Sequence, residues 1–331
     1  MSELLPHQLI VQTALSFGLP RSLHVIAELG VADHLDEEPA TAETLAAAVG
    51  AHPESLGRLL RVLSDYGIFE QRSGKFAHTP ASRLLRSDHP QSLRSYVRMI
   101  GLPWFWGSYQ YLETAVRNGK PALQKVLPQG IWSHFDAQPQ EARLFGEAMT
   151  GKAQADIAAV MGSYDFSHFA SIADIGGGHG HLLAAILRAN PSAHGVLFDL
   201  PQVIESAQAV ASERLKLQGG DFFKDALPVC DAYTLMEVIH DWNDRDSKAI
   251  LSAVRRAAAK GAKLLLIEQM LPDASVPNAA ALLDIAMMTL LGGKQRTRSE
   301  YARLFEEAGF RLDGVIWMPA GASSIIEGTA V

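Results

Sequence analysis

Apolar residues in the first 95 positions recur at helical spacing, and glycines separate the segments. Three helices are predicted, over PRSLHVIAELGVADHL, ATAETLAAAVG and HPESLGRLLRVLSDYG, with stops at Gly30, Gly50 and Gly67. The stretch IFEQRSGKFAHT then alternates around a turn at Ser73–Gly74, which predicts a β-hairpin. Helices followed by a hairpin are typical of a winged-helix domain, which we assign to residues 1–95.

Residues 96–165 keep the helical pattern and are rich in aromatic side chains. Any one of these side chains is more simply explained as core, but as a group they suit the walls of an aromatic-ligand pocket. The candidates are Trp104, Phe105, Trp106, Trp132, Phe135, Phe145 and Met149.

From residue 171 the pattern changes to short apolar runs that alternate with amphipathic segments. Strands are predicted over ASIADIGGG, AHGVLFDLP, LKLQGGDFF, CDAYTLMEVIHDW and AKLLLIEQML, with helices between them and two late strands at the end. Such alternation predicts an α/β fold, a doubly wound and mostly parallel sheet covered by helices, over residues 166–331.

Charge and composition exclude several classes of protein. The chain has 331 residues and a net charge of −7, and residues 1–95 hold eight basic against eleven acidic side chains. An acidic winged helix is a poor partner for a phosphate backbone, so we expect subunit contact rather than nucleic-acid binding. A single cysteine, Cys230, fits a reducing compartment. Because no secretory signal and no uninterrupted apolar run of spanning length is present, we expect a cytoplasmic protein without a membrane partner.

The segment SIADIGGGHGHL joins an acid to a glycine-rich loop. Its spacing is acid-x-G-x-G-x-G, at Asp174, Gly176, Gly178 and Gly180. This spacing does not fit the G-x-G-x-x-G fingerprint of dinucleotide binders, because His181 or Leu183 takes the third position. Glycines allow a ligand to approach the backbone closely.

Two further acids follow the next two strands. Asp199 ends the second strand and suits a pair of ribose hydroxyls, and Asp221 follows the third. His179 and His181 lie two residues apart without a local third ligand, so no metal site is expected.

Several segments together resemble one family. They are DIGGGHG (174–180), FDLPQVIE (198–205), GGDFF (219–223), HDWNDRDSKAIL (240–251), LLLIEQMLP (264–272) and GGKQRT (292–297). The chain is similar over nearly its whole length to the plant caffeate and isoflavone O-methyltransferases and their bacterial relatives. The resemblance implies a Rossmann-like class I methyltransferase domain that binds S-adenosyl-L-methionine, and a winged-helix dimerisation domain that makes a homodimer.

The family's catalytic and cofactor positions map onto residues of this chain. The resemblance implies that His240 is the general base and that Glu268 orients it. The cofactor residues that it implies are Asp174, Gly176, Gly178, Gly180, Asp199, Leu200, Asp221, Phe222 and Trp242.

The acceptor side is implied more loosely. Phe145, Met149, Asp241 and Met287 fall near positions that surround the acceptor. The chain departs from the plant pattern at Gln295, where a second glutamate stands beside the histidine in plant members, and at Met236, where many have lysine.

The chemistry agrees with the mapped residues. A phenol has a pKa near ~10, so a neutral histidine that takes its proton makes it a better nucleophile. We therefore expect O-methylation of an aromatic secondary-metabolite hydroxyl. The alternatives are a cofactor-binding relative with other chemistry, such as hydroxylation or decarboxylation of a polyketide, and a winged-helix regulator. The identity of the acceptor, the position methylated, and N- or C-methylation are left open.

Overall fold

The computed structural model describes residues 5–274, 278–318 and 323–331. They form two compact units. The first unit consists of the described residues up to Trp106 together with Trp132–Lys152. The second consists of Gly107–Ile131 together with the described residues from Ala153 onward. The finer division into 1–95, 96–165 and 166–331 stays a prediction.

The first unit begins with helices and a small sheet. Its helices are α1 (Pro6–Leu15), α2 (Gly18–Leu29), α3 (Ala42–Val49), α4 (Pro53–Asp65), α5 (Pro80–Arg83) and α6 (Arg94–Ile100). Its strands β1 (Ala40–Thr41), β2 (Phe69–Arg72) and β3 (Lys75–His78) form an antiparallel sheet in the order β1-β3-β2. The predicted order of helices and hairpin is confirmed, and the two-residue β1 is an addition.

Local signals explain these boundaries. Gly30 and Gly50 adopt the left-handed conformation that ends α2 and α3, with φ of 70° and 67°. The Thr41 hydroxyl caps α3 by accepting from the Thr44 amide. Ser73 and Gly74 both have positive φ, as a type I′ hairpin turn requires.

One helical stretch is long and apolar enough to span a membrane, although the sequence has no uninterrupted apolar run of that length. Pro6–Leu29 is a helical stretch of 24 residues, and 18 consecutive residues of it have a mean hydropathy of 1.2, of which 17% are buried. Polar residues such as Gln8 and Gln12 interrupt its apolar run, which is why a search for an uninterrupted run passes over it. No residue of α1 is buried, and Ile10 and Leu15 are 68% and 66% exposed.

Four helices follow, over the region predicted to be helical. They are α7 (Pro103–Ser108), α8 (Leu112–Asn118), α9 (Ile131–Ala137) and α10 (Pro139–Ser163).

The second unit contains a seven-stranded sheet. Its strands are β4 (Ser171–Ile175), β5 (His194–Asp199), β6 (Leu215–Gly219), β7 (Ala232–Met236), β8 (Lys263–Glu268), β9 (Phe310–Trp317) and β10 (Ser324–Ala330). The order is β6-β5-β4-β7-β8-β10-β9, and β10 pairs antiparallel with both β8 and β9 while the other pairs are parallel. The doubly wound, mostly parallel sheet is confirmed, and its strand order reverses between β4 and β7.

Helices cover both faces of this sheet. They are α11 (His181–Ala189), α12 (Pro201–Ser206), α13 (Asp244–Ala257), α14 (Ala279–Leu290) and α15 (Arg298–Ala308). In β8, Leu264 and Leu266 join the core with α13 and α15, whereas Leu265 and Ile267 join the core with α11. Burial on both faces explains why this strand is a continuous apolar run.

Three helical details differ from the sequence pattern. The predicted helix after β5 stops at Ser206 and continues as a separate 3₁₀ turn over Gln208–Val210. Helix α13 ends before Gly261, because Ala258 is extended and its carbonyl accepts from Arg255. Helix α14 was not predicted.

Candidate active site

The glycine loop begins at the carboxyl end of β4, where the strand order reverses. Open α/β sheets bind ligands at this edge. Gly176, Gly178 and Gly180 have φ of 68°, 58° and 74°, which L side chains rarely adopt. A Cβ on Gly176 would lie 3.0 Å from Val238, and one on Gly180 would lie 2.9 Å from Leu197, whereas one on Gly178 would meet open space. The loop is therefore packed at Gly176 and Gly180 and open at Gly178.

Asp174 is buried beneath this loop. Its Oδ1 accepts from the Thr234 hydroxyl at 2.7 Å, and its Oδ2 has no hydrogen-bond partner among the described residues. Burial, opposed by the Thr234 hydrogen bond and assisted by the charge of Asp199, raises the pKa of Asp174 to about 7. Gly177 has no room for a side chain, because a Cβ there would lie 2.4 Å from Asp174 Oδ2.

Asp199 ends β5 and faces the loop across the sheet edge. Its Oδ2 accepts from the Gly178 amide at 2.8 Å, and its Oδ1 accepts from the Leu200 amide at 2.7 Å. Burial raises the pKa of this carboxyl, while the two amides lower it. Each carboxylate oxygen accepts more than one hydrogen bond, so both keep capacity for a ribose hydroxyl.

Aromatic rings gather beside the loop. Phe222 and Phe223 pack edge-on against Trp242, with ring centroids 5.8 and 4.8 Å apart. Phe222 also lies close to Gly176, since a Cβ built there would be 3.9 Å from its ring. Phe223, 40% exposed, belongs to this cluster although the sequence did not single it out.

Asp221 stands at the start of the same loop. Burial raises its pKa, but Lys224 at 2.7 Å and the Phe223 amide outweigh this effect and hold the pKa below its usual range. The carboxylate is thus ionised at neutral pH.

These residues fit the nucleoside of S-adenosylmethionine. The loop is open at Gly178, Asp199 offers two oxygens for ribose, and Phe222 and Trp242 offer apolar faces for a base. Asp174 Oδ2 is a buried acceptor without a partner among the described residues. An unpaired buried acceptor is costly unless a ligand or water completes it.

His240 and Glu268 form a buried pair at the carboxyl ends of β7 and β8. Nδ1 of His240 lies 2.9 Å from Glu268 Oε2, an ion-pair distance with an angle outside that of a well-aligned hydrogen bond. Glu268 is fully buried, and its Oε1 accepts from the backbone amides of Val238, Ile239 and His240 at 2.8–3.3 Å. Glu268 therefore holds both the ring of His240 and the turn that carries it.

The second nitrogen of the imidazole faces another carboxylate. Nε2 of His240 lies 3.3 Å from Asp241 Oδ1. Burial lowers the pKa of His240, but the charge of Glu268 and contacts with Asp241 raise it, and on balance it lies well above 6.5. The side chain of Asp241 is 24% exposed whereas that of Glu268 is 0% exposed, so Nε2 is the nitrogen on the open side.

Arg296 is a residue of this site that the sequence analysis missed. Its side chain is fully buried and donates to the carbonyls of Ile239 and Trp242, at 3.1 and 2.9 Å. It also donates to Asp244 Oδ1 at 3.0 Å. Arg296 thus hydrogen-bonds the backbone on both sides of His240. In the sequence, the signal for this role is a basic residue within GGKQRT.

The predicted acceptor residues fall in both compact units. Phe145 and Met149 lie one turn apart on α10, in the first unit, where Phe145 packs against Phe135 and Trp132. Met287 is buried on α14 in the second unit, with Asp241. Their shared role stays a prediction.

The two histidines of the glycine loop, His179 and His181, lie close to each other. Their rings are perpendicular, with centroids 6.1 Å apart, and burial lowers the pKa of His181. Within residues 5–274, 278–318 and 323–331, no group of three or more His, Cys, Asp or Glu side chains is placed to hold a metal ion.

Known proteins are similar to this chain in sequence and in fold. The O-methyltransferase domain model matches residues 109–311, and the O-methyltransferase dimerisation domain model matches residues 11–88. A phenazine O-methyltransferase of Lysobacter antibioticus is 36% identical over 96% of this chain and 94% of its own. An 8-amino-8-demethylriboflavin N,N-dimethyltransferase of Streptomyces davaonensis is 36% identical over 90% of this chain and 88% of its own.

One solved structure that is similar to this chain contains bound ligands of its own. It is an O-methyltransferase from neocarzinostatin biosynthesis in complex with S-adenosylmethionine and 2-hydroxy-5-methyl naphthoic acid. It aligns over 100% of both chains, with a TM-score of 0.81 and 29% identity.

Fold, site and matches together define a class I methyltransferase with an N-terminal dimerisation domain. The chain belongs to the O-methyltransferase family of bacterial and plant enzymes, and it is an S-adenosylmethionine-dependent O-methyltransferase.

Proposed function

We propose that His240 Nε2 is the general base that removes the proton of the acceptor hydroxyl. The observation that carries this proposal is the buried His240–Glu268 pair beside the glycine loop. Glu268 faces Nδ1, so it fixes a proton there and leaves Nε2 to accept one. Because the pair is buried, its charges act through a medium that screens them less than water does.

S-adenosylmethionine supplies, when bound, a methyl group already activated by its sulfonium. The protein's part is alignment and proton removal. In our proposal Asp199 and Leu200 hold the ribose and adenine, Phe222 and Trp242 enclose the base beside Asp221, and the loop at Gly178 admits the nucleoside. Asp174 supports the loop from below. Nε2 of His240 takes the proton as the acceptor oxygen gains its new bond.

We further propose that the acceptor is a hydroxylated aromatic small molecule. The relatives named above carry phenazine and flavin substrates in their names, and the solved neighbour holds a hydroxynaphthoic acid. Phe145, Met149 and Met287 are the apolar residues assigned to the ring, and Asp241 is the polar residue assigned to the acceptor. One relative named for N-methylation makes an amino group the second candidate for the methylated atom.

Methyl transfer from isotopically labelled S-adenosylmethionine tests this function. The purified protein is offered hydroxylated naphthalenes, naphthoic acids and phenazines, each paired with its amino analogue. We expect label in a hydroxyl-bearing aromatic and less in its amino analogue. Label only in amino compounds would replace O- by N-methylation, and products that are hydroxylated or decarboxylated without label would favour the other chemistry weighed from the sequence.

The ribose contact is tested with Asp199→Ala. Loss of a charged acceptor of hydrogen bonds should weaken S-adenosylmethionine binding roughly 10- to 100-fold, as measured by calorimetry. Asp165→Ala, which removes an exposed carboxylate of the same unit, is the control and should bind normally. Equal affinities for the two variants would remove Asp199 from the cofactor site.

We propose that the exposed apolar surface of α1 is covered by a second subunit and that the enzyme is a cytoplasmic homodimer. Leu9, Ile10, Val11 and Leu15 are each more than half exposed on this helix. The dimerisation-domain match begins within it. A surface of this kind on a water-soluble protein marks an interaction site.

Light scattering of Ile10→Lys/Leu15→Lys tests the homodimer. A buried charge at an interface is costly, so the parent should be a dimer and the variant a monomer at micromolar concentration. Val229→Lys, at an exposed apolar residue of the other unit, should leave the dimer intact. A parent that is monomeric, or a variant that stays dimeric, would move the interface elsewhere.

A further inference from the structure

Gln295 is buried with its polar atoms unpaired. The residue is 1% exposed, and neither Oε1 nor Nε2 has a hydrogen-bond partner in the part of the chain that the structure describes. An unpaired buried amide destabilises the protein, so such a group calls for an explanation. Its own backbone amide is engaged, donating to Asp284 Oδ1 at 2.8 Å.

The imidazole of His240 does not supply the missing partner. Its Nδ1 faces Glu268 and its Nε2 faces Asp241. No hydrogen bond joins Gln295 to this imidazole, since neither polar atom of its side chain has a partner among the described residues. The carboxamide remains available to something else.

The chain around Gln295 lies against the catalytic turn. A Cβ on Gly293 would lie 2.0 Å from the His240 carbonyl oxygen, so these two backbones are in direct contact. Arg296 forms a strand-like bridge with Met270 and donates to Ile239 and Trp242. Gln295 thus lies between Gly293, whose backbone contacts the His240 carbonyl, and Arg296, whose side chain holds the turn that carries His240.

The second neighbour of Gln295 is the helix that carries a predicted acceptor residue. Asp284, which fixes the Gln295 backbone, lies on α14 one turn before the buried Met287. Gln295 thus lies between the turn that carries His240 and helix α14, which carries the predicted acceptor residue Met287.

The charges nearby select what the carboxamide can bind. Burial raises the pKa of Asp241 and contact with His240 lowers it, while the carboxylates of Glu268 and Glu237 raise it again, so that on balance it lies above its usual range. A negatively charged substituent next to a hydroxyl at His240 Nε2 would approach the Asp241 carboxylate, which lies 3.3 Å from that nitrogen, and this repulsion disfavours it. An uncharged hydroxyl or carbonyl meets no such repulsion, and the carboxamide pairs with either because it both donates and accepts.

We propose that Gln295 is a specificity residue that hydrogen-bonds an uncharged polar substituent of the acceptor, next to the hydroxyl that is methylated. This inference rests on the proposed acceptor site. The enzyme is then expected to prefer acceptors that carry a second hydroxyl or a carbonyl beside the methylated hydroxyl. Simple phenols, which lack such a group, should be poorer acceptors.

Stability without ligand gives the first test. Gln295→Met keeps the length of the side chain and removes the unpaired amide, so we expect its melting temperature to rise roughly 2–4 °C. Gln218→Met is the control, because Gln218 donates to the Ala226 carbonyl and its loss should not stabilise. A melting temperature of Gln295→Met equal to or below that of the parent would show that the carboxamide already has a partner, and would overturn the proposal.

Binding of two matched probes gives the second test. Protein saturated with S-adenosylhomocysteine is titrated with 2,3-dihydroxynaphthalene and with 2-naphthol, which lacks the second hydroxyl. We expect the parent to bind the dihydroxy compound more tightly, and Gln295→Met to weaken that binding roughly 5- to 100-fold while changing 2-naphthol binding less than about twofold. Equal weakening for both probes, or no preference in the parent, would overturn the proposal.

The two tests separate this inference from the proposed function, because neither requires turnover. A protein that prefers the dihydroxy probe through Gln295 but transfers no methyl group would contradict the proposed function alone. A protein that methylates acceptors but shows no preference for the dihydroxy probe that depends on Gln295 would contradict the role of Gln295 alone.

Discussion

Replacing His240 with alanine is expected to lower kcat roughly 10²- to 10⁴-fold. The physical reason is that Nε2 can no longer take the acceptor proton, and general-base catalysis contributes about this factor. The affinity for S-adenosylmethionine should stay near that of the parent, because Asp199, Phe222 and the glycine loop are unchanged. Single-turnover rates and calorimetry measure the two quantities separately.

A matched variant makes this result specific. His194→Ala removes an exposed histidine at the start of β5, at the opposite edge of the sheet, and should turn over normally. If His240→Ala kept the parent's kcat, His240 would have no role as a base. If it lost cofactor affinity in proportion to kcat, its role would be structural.

The second large effect is expected for Glu268→Gln, which should lower kcat by up to about 10⁴-fold. Three backbone amides point at Oε1, so the glutamine oxygen is expected to stay there and the NH₂ group to face Nδ1. A donor at Nδ1 favours the tautomer with the proton on Nε2, which then cannot accept one. The same exchange in a serine-protease triad has a loss of this size.

The control for Glu268→Gln is Glu327→Gln. Glu327 pairs with Lys263 in the same sheet but lies away from His240, so its variant should keep the parent's rate. An active Glu268→Gln enzyme would show that the tautomer of His240 does not matter, and with it the base assignment would lose its main support.

The parts of the site that the sequence could predict are those with local signals. Asp174, Asp199 and the glycines follow strand ends, so an alternating pattern places them at one sheet edge. His240 and Glu268 likewise end neighbouring strands, and parallel pairing of β7 with β8 brings them together. In each case the pairing of neighbouring strands places residues that end those strands next to each other in the site.

The parts that it could not predict depend on tertiary contacts. Arg296 resembles any basic surface residue until the fold buries it against the carbonyls of Ile239 and Trp242. Gln295 resembles a conservative replacement of glutamate until its unpaired atoms are seen. Helix α14 is apolar on most of its sides, with little periodicity to distinguish it from a buried segment of another kind.

The pH dependence of the single-turnover rate tests most directly the claim that His240 removes the proton. Only the neutral imidazole accepts a proton, and Glu268 and Asp241 raise the pKa of His240 well above 6.5 against the effect of burial. The parent's rate should therefore rise with pH, with an apparent pKa above 6.5. In His240→Ala this step should vanish, leaving a slow rate that grows about tenfold per pH unit toward the phenol pKa near ~10. The same step in parent and variant would contradict the account.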